Sequence, residues 1–334
     1  MNDILSYRTA GVFGQRMITV LVHEFASGGG FGAATPPPSL LAEGRAMRDA
    51  VCRDLASLPG VRVLAAGTTP AERPPNAVVA VPAAGEAAAD FLRRKAAVVD
   101  AVWLVAPESA GIALGLAQTV EATGIVSLGC PATAIAVASS KSLTLARLAA
   151  AGIATVSTWP LAEAPLADYD AWVVKPDIGC GCEGMRRLPW RAAEHLRRAG
   201  DHGHGIVAQP WLAGEAMSLS LLVLRGETEL LSVNRQCIAI AADGSLSLTG
   251  IELDIDVAPV LRASLRSLAR RAVDAIPGLA GFVGIDFILA PDGRAIVLEV
   301  NARLTSAYVG LSRRIGRNLA AEVLRACLPE FAYG

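Results

Sequence analysis

The sequence predicts an α/β chain, with an open parallel α/β unit first and α+β architecture around a mainly antiparallel sheet in its C-terminal part. Two observations carry this expectation. Across residues 18–128 short apolar runs alternate with helix-length stretches, the pattern of βαβ units around a parallel sheet. From residue 217 the runs lengthen, alternate in polarity and are joined by tight turns, as antiparallel strands are.

The elements follow in order. Residues 18–25 read as a buried strand, followed by the Gly-rich loop HEFASGGGFG, a helix over about 40–58 and a strand at 61–65. A further strand is expected at 101–106, a helix over about 110–123 and a short strand at 125–128. A second unit starts near Pro131, with a helix over about 140–151, strands at 155–159 and 171–175, and a loop over 177–185. An amphipathic helix then runs from Pro189 to about Arg198, and a polar loop at 201–205 leads into a strand at 206–209. Long strands at 217–224 and 229–240 meet at the turn Arg225-Gly226. A helix over about 260–275, a hairpin and a last helix over about 318–328 complete the chain.

At 334 residues two or three units are expected. The boundaries read as 1–130, 131–210 and 211–334. Hydrophobic residues make up 53% of the chain, yet no run approaches the roughly 20 residues of a membrane helix. Residues 1–16 match neither a signal nor a transit peptide and read as a poorly ordered leader or an upstream start. Net charge is −1 with the signs interspersed, so no basic stripe offers a nucleic-acid surface. The six cysteines lack metal-site spacing and read as reduced thiols, which makes a cytoplasmic chain with small-molecule partners the expectation. Lysine occurs only at 95, 141 and 175, so positive charge is otherwise arginine. A compact ammonium aimed at a phosphate is one reason to keep Lys; ordinary surface placement is the other reading.

The last hairpin carries the sharpest chemical signal. Strands at 282–290 and 295–301 flank the turn Pro291-Asp292-Gly293-Arg294. Pairing Ala290 with Ala295 puts Asp286 opposite Glu299, and alternation places Asn301 on the same face as Glu299. Two carboxylates facing each other repel unless a cation separates them. An oxygen donor set of this kind suits magnesium, with manganese as an alternative. A solvated outer face is the competing reading, opposed by the apolar neighbours Ile285, Phe287, Val297 and Leu298.

With GIDFI and LEVNAR in view, the chain resembles the ATP-grasp superfamily, whose metal site is an Asp followed by a Glu-x-Asn signature. The resemblance covers about residues 131–330 and implies an ATP-grasp fold behind an N-terminal pre-ATP-grasp domain. It also implies ATP and magnesium as cofactors, ADP-forming ligation of a carboxylate to an amine through an acyl-phosphate, and often a homodimer. Asp286, Glu299 and Asn301 then hold the metal. Lys141 and Lys175 match the two lysines aimed at the α- and β-phosphates. Gly179, Gly181 and Gly184 belong to a loop whose amides can close over phosphate. In QPWLAGE, Gln209 and the Leu212 backbone fall at the adenine and Glu215 at the ribose, though many members carry an acidic residue in place of Gln209. Arg303 and Arg235 are the catalytic or substrate-orienting candidates, because a guanidinium bridges phosphoryl oxygens; ion pairing is the alternative for both.

The Gly-rich loop after the first strand lies where open α/β sheets bind ligands and is expected at the substrate pocket. A dinucleotide site fits less well, since GGGFG is not GxGxxG and residues 36–38 are proline. A CxC metal or redox site at Cys180 and Cys182 lacks a second ligand pair. HEFASGGG taken with EVNARLTSAYVGL is similar to the branch that joins L-glutamate to tyramine in methanofuran-type cofactor biosynthesis. Ligases for another amino acid or a peptide, or a non-catalytic ATP-binding sensor, are the alternatives.

Overall fold

A computed structural model describes residues 17–200 and 205–329. The leader expected at 1–16, most of the loop at 201–205, and His202 and His204 lie outside the described residues. The first unit holds β1 (Ile18–Glu24), α1 (Pro38–Ala56), β2 (Val61–Ala66), β3 (Val78–Ala80), α2 (Ala88–Lys95), β4 (Ala101–Val105), α3 (Ile112–Thr123) and β5 (Val126–Ser127). Every strand pairing is parallel, in the order β3-β2-β1-β4-β5. β1 is central and covered on both faces, which explains its nearly unbroken apolar run. Connections leave β1 in one direction for β2 and return to β4 on its other side. The carboxyl ends of β1 and β4 therefore flank the crevice where such sheets take ligands.

The helix expected from residue 110 starts at Ile112, because Ala110 and Gly111 are left-handed, at φ 54° and 71°. Pro38 stands in the first turn of α1, where its missing N–H costs nothing.

Next come α4 (Ala132–Ser139), α5 (Lys141–Ala150), β6 (Trp159–Pro160), β7 (Ala171–Pro176), β8 (Arg186–Pro189), α6 (Trp190–Ala199) and β9 (Ile206–Pro210). These strands form a small antiparallel sheet, β6-β9-β7-β8, over its own core of Leu161, Trp172, Val174, Leu188 and Ala208. The strand expected at 155–159 is shorter than predicted. Thr155 instead bridges Val297, and Val297 N donates to Ala154 O at 2.9 Å, so that stretch covers another sheet's edge.

The largest sheet contains β10 (Glu215–Leu224), β11 (Glu227–Ile240), β12 (Leu246–Glu252), β13 (Gly281–Leu289) and β14 (Ala295–Asn301), with α7 (Pro259–Ala275) before β13. Its order, β12-β11-β10-β13-β14, is antiparallel throughout. Arg225 and Gly226 both have positive φ, 51° and 82°, as a tight hairpin turn demands.

Helices α8 (Leu311–Ile315) and α9 (Leu319–Cys327) return to the first unit. Val20, Val22 and Leu55 from that unit share a core with Phe282, Tyr308, Leu319 and Leu324. Among the described residues no helix is long and apolar enough to cross a membrane.

Candidate active site

The last hairpin reaches the predicted pairing by another route. Leu289, not Ala290, faces Ala295, and the straight ladder continues through Ile288–Ile296 and Phe287–Val297. A bulge at Leu298 then shifts β14 by one residue and brings Glu299 opposite Asp286. Asn301 Nδ2 donates to Asp286 Oδ2 at 3.2 Å and Gln236 Nε2 donates to Oδ1 at 3.0 Å. Burial and the facing Glu299 charge push the Asp286 carboxyl well above its usual range. Burial also opposes ionisation of Glu299, but the Lys141 and Lys175 charges outweigh it and hold that carboxyl below its usual range.

Both lysines are buried, Lys141 at 4% exposure and Lys175 at 2%. Lys141 Nζ lies 3.4 Å from Glu299 Oε2 and donates to Gly179 O at 3.0 Å. Lys175 is the penultimate residue of β7, where burial lowers its ammonium to about 8 against the favourable charge of Glu299. Two lysines on separate elements thus converge on one carboxylate pair.

Asp177 ties α5 to the loop at 177–185. Its Oδ1 accepts from Ser142 N at 2.7 Å, its Oδ2 from Ser140 Oγ at 2.6 Å, and its carbonyl from Lys141 N at 3.1 Å. These bonds satisfy the start of the helix that carries Lys141. Within the loop Gly181 and Gly184 adopt φ of 56° and 68°, values that L side chains rarely take. The β11–β12 hairpin clamps the loop's far end: Leu246 N donates to Met185 O at 3.1 Å and Arg187 N to Gly244 O at 2.8 Å.

In the segment QPWLAGE, Gln209 Nε2 donates to Thr158 Oγ1 at 2.9 Å, and Leu212 packs partly buried on the core. Glu215 and Arg235 meet each other, Nε to Oε2 at 3.1 Å, with Arg235 also bonded to Glu252 at 2.7 Å. Arg303 is half-buried and forks onto Glu108. Both line a cavity of about 30 Å³ otherwise walled mostly by apolar side chains, among them Trp103, Leu128, Ile135 and Phe282. Cys180 and Cys182 are free, half-buried thiols. Among the described residues no three His, Cys, Asp or Glu side chains gather as a metal site.

Two carboxylates and an amide form an oxygen donor set, flanked by two lysines, beside a glycine loop. That donor chemistry fits magnesium carrying phosphate oxygens and water, because magnesium needs only one or two carboxylates from the protein.

Sequence reasoning did not single out Glu108, Gln236 or Asp177. Gln236 had a legible signal, since Ser218, Ser220, Asn234 and Gln236 interrupt apolar strands at alternate positions. Asn234 Nδ2 reaches Ser220 Oγ at 3.1 Å and Ser218 Oγ at 3.3 Å, so these polar residues cross the sheet towards Asp286 as one stripe.

The ATP-grasp domain family matches residues 138–307, just over half of the chain. The chain belongs to the ATP-grasp family. A pre-ATP-grasp domain matches residues 61–135, within the parallel sheet. A tyramine–L-glutamate ligase from Methanocaldococcus jannaschii is 30% identical over 213 residues, 64% of this chain and 58% of that protein. Its counterpart from Methanocaldococcus fervens is 28% identical over 213 residues, 64% of this chain and 62% of that one. The match therefore spans less than two thirds of either relative's length. Two solved structures share the ATP-grasp fold. L-amino acid ligase from Bacillus licheniformis has a TM-score of 0.64 at 20% identity, covering 95% of this chain and 75% of that one. D-alanine–D-alanine ligase from Bacillus anthracis has a TM-score of 0.64 at 15% identity, covering 94% and 98%.

Proposed function

We propose that this ATP-grasp chain is an ADP-forming carboxylate–amine ligase that joins L-glutamate to tyramine through an acyl-phosphate. The observation that carries the ligase reading is the meeting of Asp286, Glu299 and Asn301 with Lys141 and Lys175 beside the glycine loop. The substrate pair rests on the names of the two Methanocaldococcus relatives.

In this reading Asp286, Glu299 and Asn301 hold magnesium, which when bound shields the triphosphate charge. Lys141 and Lys175 neutralise further phosphate oxygens, and amides of the loop at 177–185 cover the β- and γ-phosphates. Gln209 and the Leu212 backbone take the adenine, and Glu215 the ribose. A carboxylate oxygen of the acid attacks the γ-phosphorus as the β–γ bridging bond breaks and ADP departs. The amine nitrogen then attacks the acyl carbon, phosphate leaves with the acyl C–O bond electrons, and the nitrogen loses a proton. Arg303 steadies negative charge on the transferring phosphoryl group. Arg235, paired with Glu215 and Glu252, is the second guanidinium given to phosphoryl oxygens in this reading. No covalent enzyme intermediate is involved, so catalysis is positioning and electrostatics.

The test is magnesium-dependent ADP release by the purified chain with L-glutamate, tyramine, both, or other acids and amines. Release that requires both compounds supports the full reading. Release with another pair keeps the ligase and discards these substrates, and ATP binding without release under any pair favours a sensor.

A further inference from the structure

Glu108 lies just beyond β4, at the crevice end of the parallel sheet, and is 7% exposed. Its partner Arg303 is 195 residues away, just past the Glu299–Asn301 end of β14. The contact is a fork: Nε donates to Oε1 at 2.8 Å and Nη2 to Oε2 at 3.1 Å, while Nη1 donates to Leu304 O at 3.2 Å. A guanidinium carries five N–H groups in one rigid plane, so three fixed bonds leave two N–H groups with a set direction. Ser109, the residue after Glu108, donates to Cys180 Sγ at 3.8 Å and to Glu183 Oε2 at 3.4 Å, so the Glu108–Arg303 pair sits between the end of the hairpin and the loop at 177–185.

We propose that Glu108 is a positioning residue for Arg303, holding the guanidinium so that its two free N–H groups face the phosphoryl group being transferred. The inference rests on the ligase reading for the identity of that group. It adds a role for the N-terminal sheet, whose crevice then orients a side chain of the C-terminal sheet as well as bordering the substrate. A carboxylate suits this task better than a neutral acceptor, because two parallel charge-assisted bonds fix the plane of the guanidinium as well as its location. A bond spent only on joining two units has no need of that plane, and this difference makes the proposal testable.

The experiment combines Glu108→Gln, Glu108→Asp and Arg303→Lys in the full chain with two readouts. The first is the kinetics of ADP release. Glu108→Gln is expected to lower kcat about 100-fold, the scale of a misplaced catalytic group, with the KM for ATP nearly unchanged. Glu108→Asp should recover part of the loss, and Glu108→Gln should add nothing in the Arg303→Lys background. The second readout is the Arg303 side-chain Nε–H resonance, assigned by its loss in Arg303→Lys. On addition of magnesium and a non-hydrolysable ATP analogue it should shift in the wild type and fail to shift in Glu108→Gln, although the nucleotide still binds. Independent kinetic losses that multiply in the double variant, or an equal resonance shift in both proteins, would overturn the proposal and leave a structural tie. If the wild type turns over no acid–amine pair, the ligase reading falls and the resonance alone decides the positioning role.

Discussion

At the residue scale, two buried groups of the site carry opposite requirements on the proposed reading. Asp286, its pKa raised by burial and the facing Glu299, has to lose its proton to ligate a cation. Lys175, lowered to about 8 by burial, must keep its proton to meet phosphate. Low pH works against the first requirement, and pH above about 8 against the second. A plot of kcat/KM for ATP, which reports the free enzyme, is therefore expected to be bell-shaped, with its alkaline limb near pH 8. Bound cation and phosphate favour the two charged forms, so kcat alone should vary less. Lys175→Arg should remove the alkaline limb and leave the acid limb; a profile with both limbs intact would return Lys175 to a structural role. Glu299→Gln should abolish ADP release with the fold retained by circular dichroism, since it removes one of the two facing carboxylates that the proposed function assigns to the cation. Asp286 and Glu299 were legible because facing carboxylates in an apolar hairpin need a cause. Glu108 was not, because its meaning lies in a partner brought near only by the packing of two sheets.

At the element scale, the structure explains why some expectations were right for incomplete reasons. The turn Pro291–Arg294 suggested one register, the ladder adopts another, and the Leu298 bulge restores the Asp286–Glu299 pairing. Strands β3, β8 and β12 escaped notice because each is short or lies on a sheet edge, where periodicity is weak and neighbours supply the order. Helix α4 was not among the expected elements, since its apolar and small residues show no helical stripe.

Helix α1 shows packing overruling propensity. A methyl group at Gly44 would fall well inside contact distance of the Glu24 carboxylate, which is pinned by Ala26 N at 3.0 Å and Ser27 N at 2.7 Å. Helix propensity alone favours Gly44→Ala by about 1 kcal/mol. Overpacking against a fixed carboxylate costs roughly 1–3 kcal/mol, so urea denaturation should show net destabilisation; a more stable variant would mean that Glu24 moves freely. At α5, Asp177→Ala should cost about 1 kcal/mol by removing a cap and should raise the KM for ATP. Asp177→Asn, which keeps an acceptor for Ser142 N, should retain most of both.

At the scale of the whole molecule, the three sheets do not share one core equally. The parallel sheet and the largest sheet are joined through Leu55, Phe282, Tyr308, Leu319 and Leu324, and Asp54 accepts from Tyr308 Oη at 2.7 Å and Ser312 Oγ at 2.6 Å. The small sheet closes instead around Trp172, whose Nε1 donates to Leu166 O at 2.9 Å within the same subunit of structure. Local opening follows the boundaries of buried cores. Hydrogen exchange should therefore find β7 and β9 opening at lower free energy than β1, β4 and β13, which should exchange together. Asp54→Ala leaves two hydroxyls without their acceptor, at a cost of about 1–3 kcal/mol for each that stays buried. Its effect should appear as faster exchange in β1 and β13 alike, while β7 and β9 keep their wild-type rates. Acceleration confined to β1 would show that the first unit opens alone. On the proposed ligase reading the distinction bears on catalysis, because a small sheet with its own core can move without loosening the two sheets that hold Arg303 and the Asp286–Glu299 pair.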